Sequence, residues 1–449
     1  MNDKRVTVVG AGLAGSEAAW QLLRRGIPVR LIEMRPEKTT PAHVTGGFAE
    51  LVCSNSLKAE HLTNASGLLK AEMKLFDSLI LHAAEEARVP AGGALAVDRE
   101  RFSQIVTETL SGHPLCEVVH EAVTEIPDAP CIVATGPLTD GALAGAIEKL
   151  PGMKSLHFFD AEAPIVTAES IDMTRAFKAS RYGRGEGDDY INCPMTEQEY
   201  YAFYDALVSA ETAEVHDFEK KLVFEGCLAV EILAGRGRMT LAFGPLKPVG
   251  LVDPHTGKQP FAVVQLRQDN AAGTLYNIVG FQTRLKWGEQ KRVFGMIPGL
   301  EHAEYARYGV MHRNTYLDSP RVLGKNYALA ADPLIRFAGQ MTGVEGYVES
   351  AASGMTAAIG LAMRLEGREE IELPTTTVMG ALVRHTITET ADFQPMNANF
   401  GLIEPCERRI RNKQERYGAI AARALDTIEA LRSNPLACDF DRTLAHPAG

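Results

Sequence analysis

No uninterrupted apolar run in these 449 residues approaches the roughly 18 that a membrane-spanning helix requires, so no span is expected. Cysteine is sparse: seven thiols, at positions 53, 116, 131, 193, 227, 406 and 438, form no CxxC pair and no Cys/His cluster. An odd, scattered set excludes a disulfide framework and a metal site and points to the reducing cytoplasm. Positive charge is in deficit as well. Lys and Arg total 46 against 57 Asp and Glu, a formal net charge of −11. That balance argues against nonspecific nucleic-acid binding, though not against a local basic patch.

What is present is ordinary for a globular chain: 45% apolar and 23% charged residues, with length enough for two or three domains. The 40 glycines cluster at strand-to-helix junctions rather than in linkers. The opening MNDKRVTVVGAGLAGS superficially imitates a secretory signal, but its glycine spacing, with Glu17 following at once, explains it better. Arg5–Val9 reads as a buried strand, Gly10-Ala11-Gly12-Leu13-Ala14-Gly15 as a turn, the next residues through Arg25 as a helix, and Pro28–Ile32 as a second strand. This is GxGxxG in its proper setting. The first glycine permits the turn, the second admits a pyrophosphate, and the third lets helix meet strand, while amides at the helix start hold phosphate. Glu33, closing the second strand, suits an adenosine ribose hydroxyl and repels a 2′-phosphate.

Gly67–Arg88 reads as one amphipathic helix, and Cys131–Thr135 as a short strand running into Gly136. From about Pro151 to Pro320 the texture shifts to strands rich in aromatic and β-branched residues, FAVVQL and LYNIVGF being the clearest. Near Val322 the first texture returns. Ile335–Ala338 is a strand, the chain turns through Gly339 to Gly343, and a small-residue helix begins around Glu345. The expected fold is α/β, a Rossmann-like dinucleotide-binding domain split into residues 1–150 and 322–449, with an α+β substrate domain inserted at 151–321. No second GxGxxG follows a strand, and an N-terminal nucleotide unit closed by a late glycine turn is the arrangement of FAD proteins. FAD is therefore preferred over NAD.

Two thiols have unusual settings. Cys53 lies in ELVCSNSLKAE, a polar turn just beyond the nucleotide unit. Cys227 lies in FEGCLAVE, beside a glycine and between Glu225 and Glu231, which would raise its pKa unless they accept its proton. Cys116, Cys131 and Cys438 have ordinary neighbours and read as inert. Basic clusters occur at Arg175, Lys178, Arg181 and Arg184, at Lys286, Lys291 and Arg292, and at Arg408, Arg409, Arg411, Lys413 and Arg416. A solvated face is the commoner meaning of any one of them.

GAGLAGSEAAW, EMRP, ELVCSNSLKAE, FEGCLAVEILAGRG, YNIVGFQTRL, GVMHRNTY, TGVEGYVES and FQPMNANFGL, in this order and from end to end, resemble the folate- and FAD-dependent tRNA (uracil-5-)-methyltransferase family. The related tRNA carboxymethylaminomethyl-uridine enzymes share the N-terminal unit and the TG-EGY-E turn, but they carry a long extra C-terminal helical domain. The resemblance implies methylation of the T-loop uridine of tRNA at C5. Methylenetetrahydrofolate would be the carbon donor, reduced FAD the methylene carrier and hydride source, and NADH or NADPH the reductant. It implies that Cys227 adds to uracil C6, while Cys53 takes the C5 proton or shields the reactive carrier; spacing leaves the two roles exchangeable.

It further implies pterin contacts from His312 and Asn314, although His312 also suits a capped loop. Flavin contacts are implied for Gly136, Gly343, Glu345 and Gly346. Phosphate contacts fall best on Arg175 and Arg181 and on Arg408, Arg409, Arg411 and Lys413. A monomer is the expected state. A flavin oxidoreductase acting on a small molecule, and a non-catalytic RNA-binding flavoprotein, are the competing readings.

Overall fold

The structure is a computed structural model that describes residues 5–40, 42–139, 141–153, 155–183, 187–213, 228–390 and 393–433. Strand β1 (Val6–Val9) is followed by helix α1 (Leu13–Leu23) and strand β2 (Val29–Glu33). β1 is the middle of a five-stranded parallel sheet, with Cys131–Val133 and then Ile335–Phe337 on one side and β2 and then Cys116–His120 on the other. The inner strands β1 and Cys131–Val133 are nearly all buried, whereas the edge strand Cys116–His120 is partly exposed and carries charge. Val6, Val8, Leu31, Ile132 and Val133 are wholly buried, each contributing roughly 1.5–3 kcal/mol of transfer free energy. The expected α/β dinucleotide fold is the one observed.

The segment read as one helix over Gly67–Arg88 is two, Ala65–Leu75 and Leu79–Glu86. Asp77 breaks it at φ +56, and Ser78 starts the second helix by accepting the Leu81 N–H on its hydroxyl. That hydroxyl also donates to the buried Glu17 of α1 at 2.7 Å. Apolar periodicity continues across the break, so the pattern hid it. LYNIVGF likewise stops being a strand at Ile278, because Gly280 turns the chain at φ +79.

Described residues between Ala163 and Ala303 build a second core around a six-stranded antiparallel sheet. Its strand order is Phe177–Lys178, Tyr190–Met195, Ala262–Gln268, Leu275–Ile278, Ile165–Thr167 and Tyr305–Arg307. The helix Glu197–Val208 packs on it, its start closed by a capping box between Thr196 and Glu199. The chain enters and leaves this unit on a two-stranded ribbon, Ser155–Ala161 against Met311–Leu317. Ties back to the first unit include the Arg99–Asp269 ion pair at 2.9 Å and the Tyr190 hydroxyl donating to the Ala91 carbonyl at 2.9 Å. No described helix is long and apolar enough to cross a membrane.

Candidate functional site

The glycines of the first turn have distinct reasons. Gly10 sits at φ +94, and a Cβ there would lie 2.6 Å from the Ala134 carbonyl oxygen. A Cβ on Gly15 would lie 1.8 Å from the Gly10 oxygen, so α1 could not approach its own loop. Gly12 differs: it N-caps α1 with no side-chain acceptor, and a Cβ there would meet nothing within 4 Å. The space before Gly12 is therefore not needed by the protein, and helix-start amides face it. That is the setting for a pyrophosphate.

Gly10, Gly12, Leu13, Ala14, Glu33 and Gly136 line one open cleft of about 1200 Å³, counting the solvent it opens to. Ala11 lies beneath it, and its N–H donates to Glu33 Oε2 at 2.7 Å. The other Glu33 oxygen accepts from Arg35 Nε at 2.8 Å. Burial alone would raise the Glu33 pKa, but the hydrogen bond and charge of Arg35 and the Ala11 amide outweigh it and hold the carboxyl below its ordinary value. The expected ribose acceptor is thus an anion fixed at the cleft wall. Oε1 also accepts the Arg35 backbone N–H at 3.1 Å, so the lone pair left to offer is on Oε2.

Val52, Pro137, Leu138, Gln340 and Tyr347 line both this cleft and a second chamber of about 1070 Å³. Cys53, Asn314, Glu345 and Gly346, drawn from three distant segments of the sequence, all line that chamber. Gly343, expected at the cofactor, lies outside both walls. It makes its turn at φ +88 against the Phe393 ring, 2.3 Å from where a Cβ would stand. His312 is on the strand that carries Asn314, with its side chain outside the described residues. Cys227 and Cys438 also lie outside them. The described chain resumes at Leu228, and the Val230 N–H donates to the carbonyl of Gln282, a residue of the chamber wall.

The Cys53 loop is held by groups with no recognisable sequence signal. The hydroxyl of Tyr347, first residue of the long helix Tyr347–Leu365, accepts the N–H groups of Cys53 at 2.7 Å and Ser54 at 3.1 Å. Arg99 donates to the carbonyls of Leu51 and Cys53, and Arg267, from the second unit, donates to Ser54 Oγ at 2.7 Å and Asn55 Oδ1 at 3.0 Å. Both guanidiniums are close enough to the Cys53 sulfur to interact with its charge. The polar neighbours of Cys53 therefore support the loop itself. Ser54 and Asn55 knit it to Arg267, and Asn55 also donates to the carbonyls of Val97 and Gln268. By contrast, burial pushes Cys116 up to about 11 and Cys131 and Cys193 up to about 12, which leaves them poor nucleophiles.

Among the basic residues, Arg175 bridges Glu199 and Glu301 at 2.8 and 2.9 Å. Arg181 donates to Gln265 Oε1 and to the carbonyls of Lys247 and Val249. Arg408, Arg409, Arg411 and Lys413 are exposed and make no ion pair among the described residues; Lys413 lies 5.5 Å from the Tyr417 ring centre.

A parallel sheet, a glycine turn open to a cleft and an anion closing β2 define a dinucleotide-binding protein. The family model for glucose inhibited division protein A matches residues 5–369. A methylenetetrahydrofolate–tRNA-(uracil-5-)-methyltransferase of Bacillus cytotoxicus is 59% identical over 430 residues, 96% of this chain and 99% of that one. Its counterpart in Listeria monocytogenes serotype 4b is 59% identical over 95% of this chain and 98% of its own. A crystal structure of Aquifex aeolicus GidA superposes with a TM-score of 0.69 at 14% identity, covering 95% of this chain and 73% of that one. The chain belongs to the glucose inhibited division protein A family and, within it, to the group of the methylenetetrahydrofolate–tRNA-(uracil-5-)-methyltransferases.

Proposed function

We propose that this protein methylates C5 of the T-loop uridine of tRNA. Methylenetetrahydrofolate would be the carbon donor, FAD the resident cofactor, and NADH or NADPH the source of electrons. The observation that carries the reading is the shared chamber, where Cys53, Asn314, Glu345 and Gly346 meet beside the dinucleotide cleft. When bound and reduced, FAD supplies the methylene transfer and the hydride. The chain's own residues do the rest.

Uracil C5 is a poor nucleophile until a thiolate adds at C6 and gives C5 enolate character. Cys227 is assigned that addition, and Cys53 the removal of the C5 proton, which lets the C6–S bond break and the thiolate leave. Arg99 and Arg267 set two positive charges against the Cys53 loop. Asn314 and His312 are assigned to the pterin edge and face, and Glu345 and Gly346 to the flavin. Residues 1–150 and the first part of 322–449 serve the cofactor, 151–321 serve folate and the target base, and the C-terminal helices of 322–449 serve the tRNA backbone. Arg408, Arg409, Arg411 and Lys413 are the favoured phosphate contacts, because Arg175 and Arg181 would first have to exchange partners within the protein. The base must leave its loop to reach the chamber, at a cost of about a few kcal/mol.

The test uses flavin-loaded protein and tRNA carrying 5-fluorouridine at the target position, where fluorine replaces the proton that must depart. The wild type should form a covalent adduct, and Cys227→Ala should not. Cys53→Ala should still form it, while losing about 10²–10⁴-fold in methyl incorporation on ordinary tRNA. A wild-type protein that forms no adduct would favour the small-molecule oxidoreductase. Label that enters tRNA from S-adenosylmethionine and not from the folate would end this reading.

A further inference from the structure

Lys58 has no part in the chemistry above, yet it stands in the chamber wall in a conformation unfavourable to it. It lies at φ +64, the left-handed region that side chains other than glycine seldom adopt. Strain of this kind persists where the surroundings enforce it, and it gathers at functional sites. Here the Lys58 N–H donates to Ser56 Oγ at 3.1 Å, and the ammonium donates to Glu349 Oε1 at 2.8 Å.

The ion pair has a direction. The Glu349 side chain is 0% exposed and that of Lys58 39%, so the carboxylate lies behind and the ammonium faces the chamber. The second Glu349 oxygen is buried with no hydrogen-bond partner among the described residues. Gly346 is what lets the pair sit there: it is at φ +116, and a Cβ would lie 2.4 Å from Glu349 Oε2 and 2.7 Å from Lys58 Nζ. Gly346 also N-caps the Tyr347–Leu365 helix with no side-chain acceptor, so the positive end of a 19-residue helix and an ammonium converge on one point of the wall. The chamber's carboxylates are engaged elsewhere, Glu162 with Arg307 and Glu345 with the Gln340 amide. That point adjoins Gln340 and Tyr347, where the cleft opens into the chamber and the ring end of a dinucleotide would arrive.

We propose that Lys58, held by Glu349, tunes the cofactor: its ammonium stabilises negative charge on the ring of the reduced flavin and so raises the reduction potential. Glu349 is the positioning residue. The inference rests on the FAD reading of the site and goes beyond it.

The experiment measures the two-electron midpoint potential of the flavin-loaded enzyme, without tRNA or folate, against a reference dye. Wild type, Lys58→Met, Lys58→Gln and Lys58→Arg are compared. The neutral variants should lose at least tenfold in the reduced-to-oxidised ratio at a fixed potential, about 30 mV, and Lys58→Arg should stay near wild type. Neutral variants with the wild-type potential overturn the inference even if methylation falls, because Lys58 would then act on folate or uracil. An Arg variant as low as the neutral ones also overturns it, since shape and not charge would be at stake. A wild-type protein that retains no flavin would instead take down the FAD reading itself.

Discussion

Tyr347 joins both parts of the site through one oxygen. Its ring begins the helix at the cleft, and its hydroxyl accepts two consecutive amides of the thiol loop. Burial, with Cys53 nearby, pushes the phenol well above its ordinary range, so it stays neutral. Tyr347→Phe removes only the acceptor and leaves two amides without one. The expected cost is about 1–3 kcal/mol, read by urea denaturation, together with faster iodoacetamide labelling of Cys53. Unchanged stability and labelling would mean that Arg99 and Arg267 hold the loop without it. Cys53 could be picked out in the sequence because a thiol among Ser and Asn is unusual. Tyr347, Arg99 and Arg267 could not, because a lone Tyr or Arg in the chain carries no mark of the backbone group it will meet.

At the scale of elements, the crossing of α1 with the Tyr347–Leu365 helix decides whether the cleft exists. The small residues of the long helix allow a close approach, and what approaches is α1. A Cβ on Gly354 would stand 2.0 Å from the Ala14 carbonyl oxygen. Because that atom is backbone, it cannot yield as a flexible side chain would. Gly354→Ala should therefore push the two helix starts apart, moving Gly12 away from Gly346. We expect a loss of about 1–3 kcal/mol and a marked fall in bound flavin, measured by absorbance after gel filtration. Gly354→Ala protein that keeps wild-type flavin content and stability would show that the crossing can relax. The break at Asp77 and Ser78 belongs to this scale too. It exists because Glu17, buried in α1, needs the Ser78 hydroxyl and the Ile80 amide, a demand from another element that local periodicity does not display.

Over the whole molecule, two cores meet along a polar seam rather than an apolar one. Arg99–Asp269, Asn55 with Gln268, Gly92 with Asp189 and Ala271 with Asp98 all cross it. The seam runs beside the thiol loop, so the second unit supplies Arg267 to a site otherwise built by the first. The net charge of −11 means that any phosphate-binding surface must be local. If Arg408, Arg409 and Arg411 hold tRNA phosphates, replacing all three by Ala should lower the slope of log K against log salt by about 2–3. A filter-binding titration over a salt series measures it. An unchanged slope would move the docking surface away from this cluster.

The glycine turn, the acid closing β2 and the change of texture near Pro151 and Val322 were legible in the chain, because each is a local pattern: a spacing, a strand end, a shift in composition. The blocks around the two thiols marked the family for the same reason, as uncommon words in a fixed order. Only the tertiary structure decided that Cys53, Asn314, Glu345 and Gly346 share one chamber, that Gly343 stands apart from it, and that Lys58 faces inward over a buried Glu349. These are matters of distance between segments that lie as many as 293 positions apart, as from Cys53 to Gly346. Such distances are set by how helices and sheets pack, which no short stretch of sequence records.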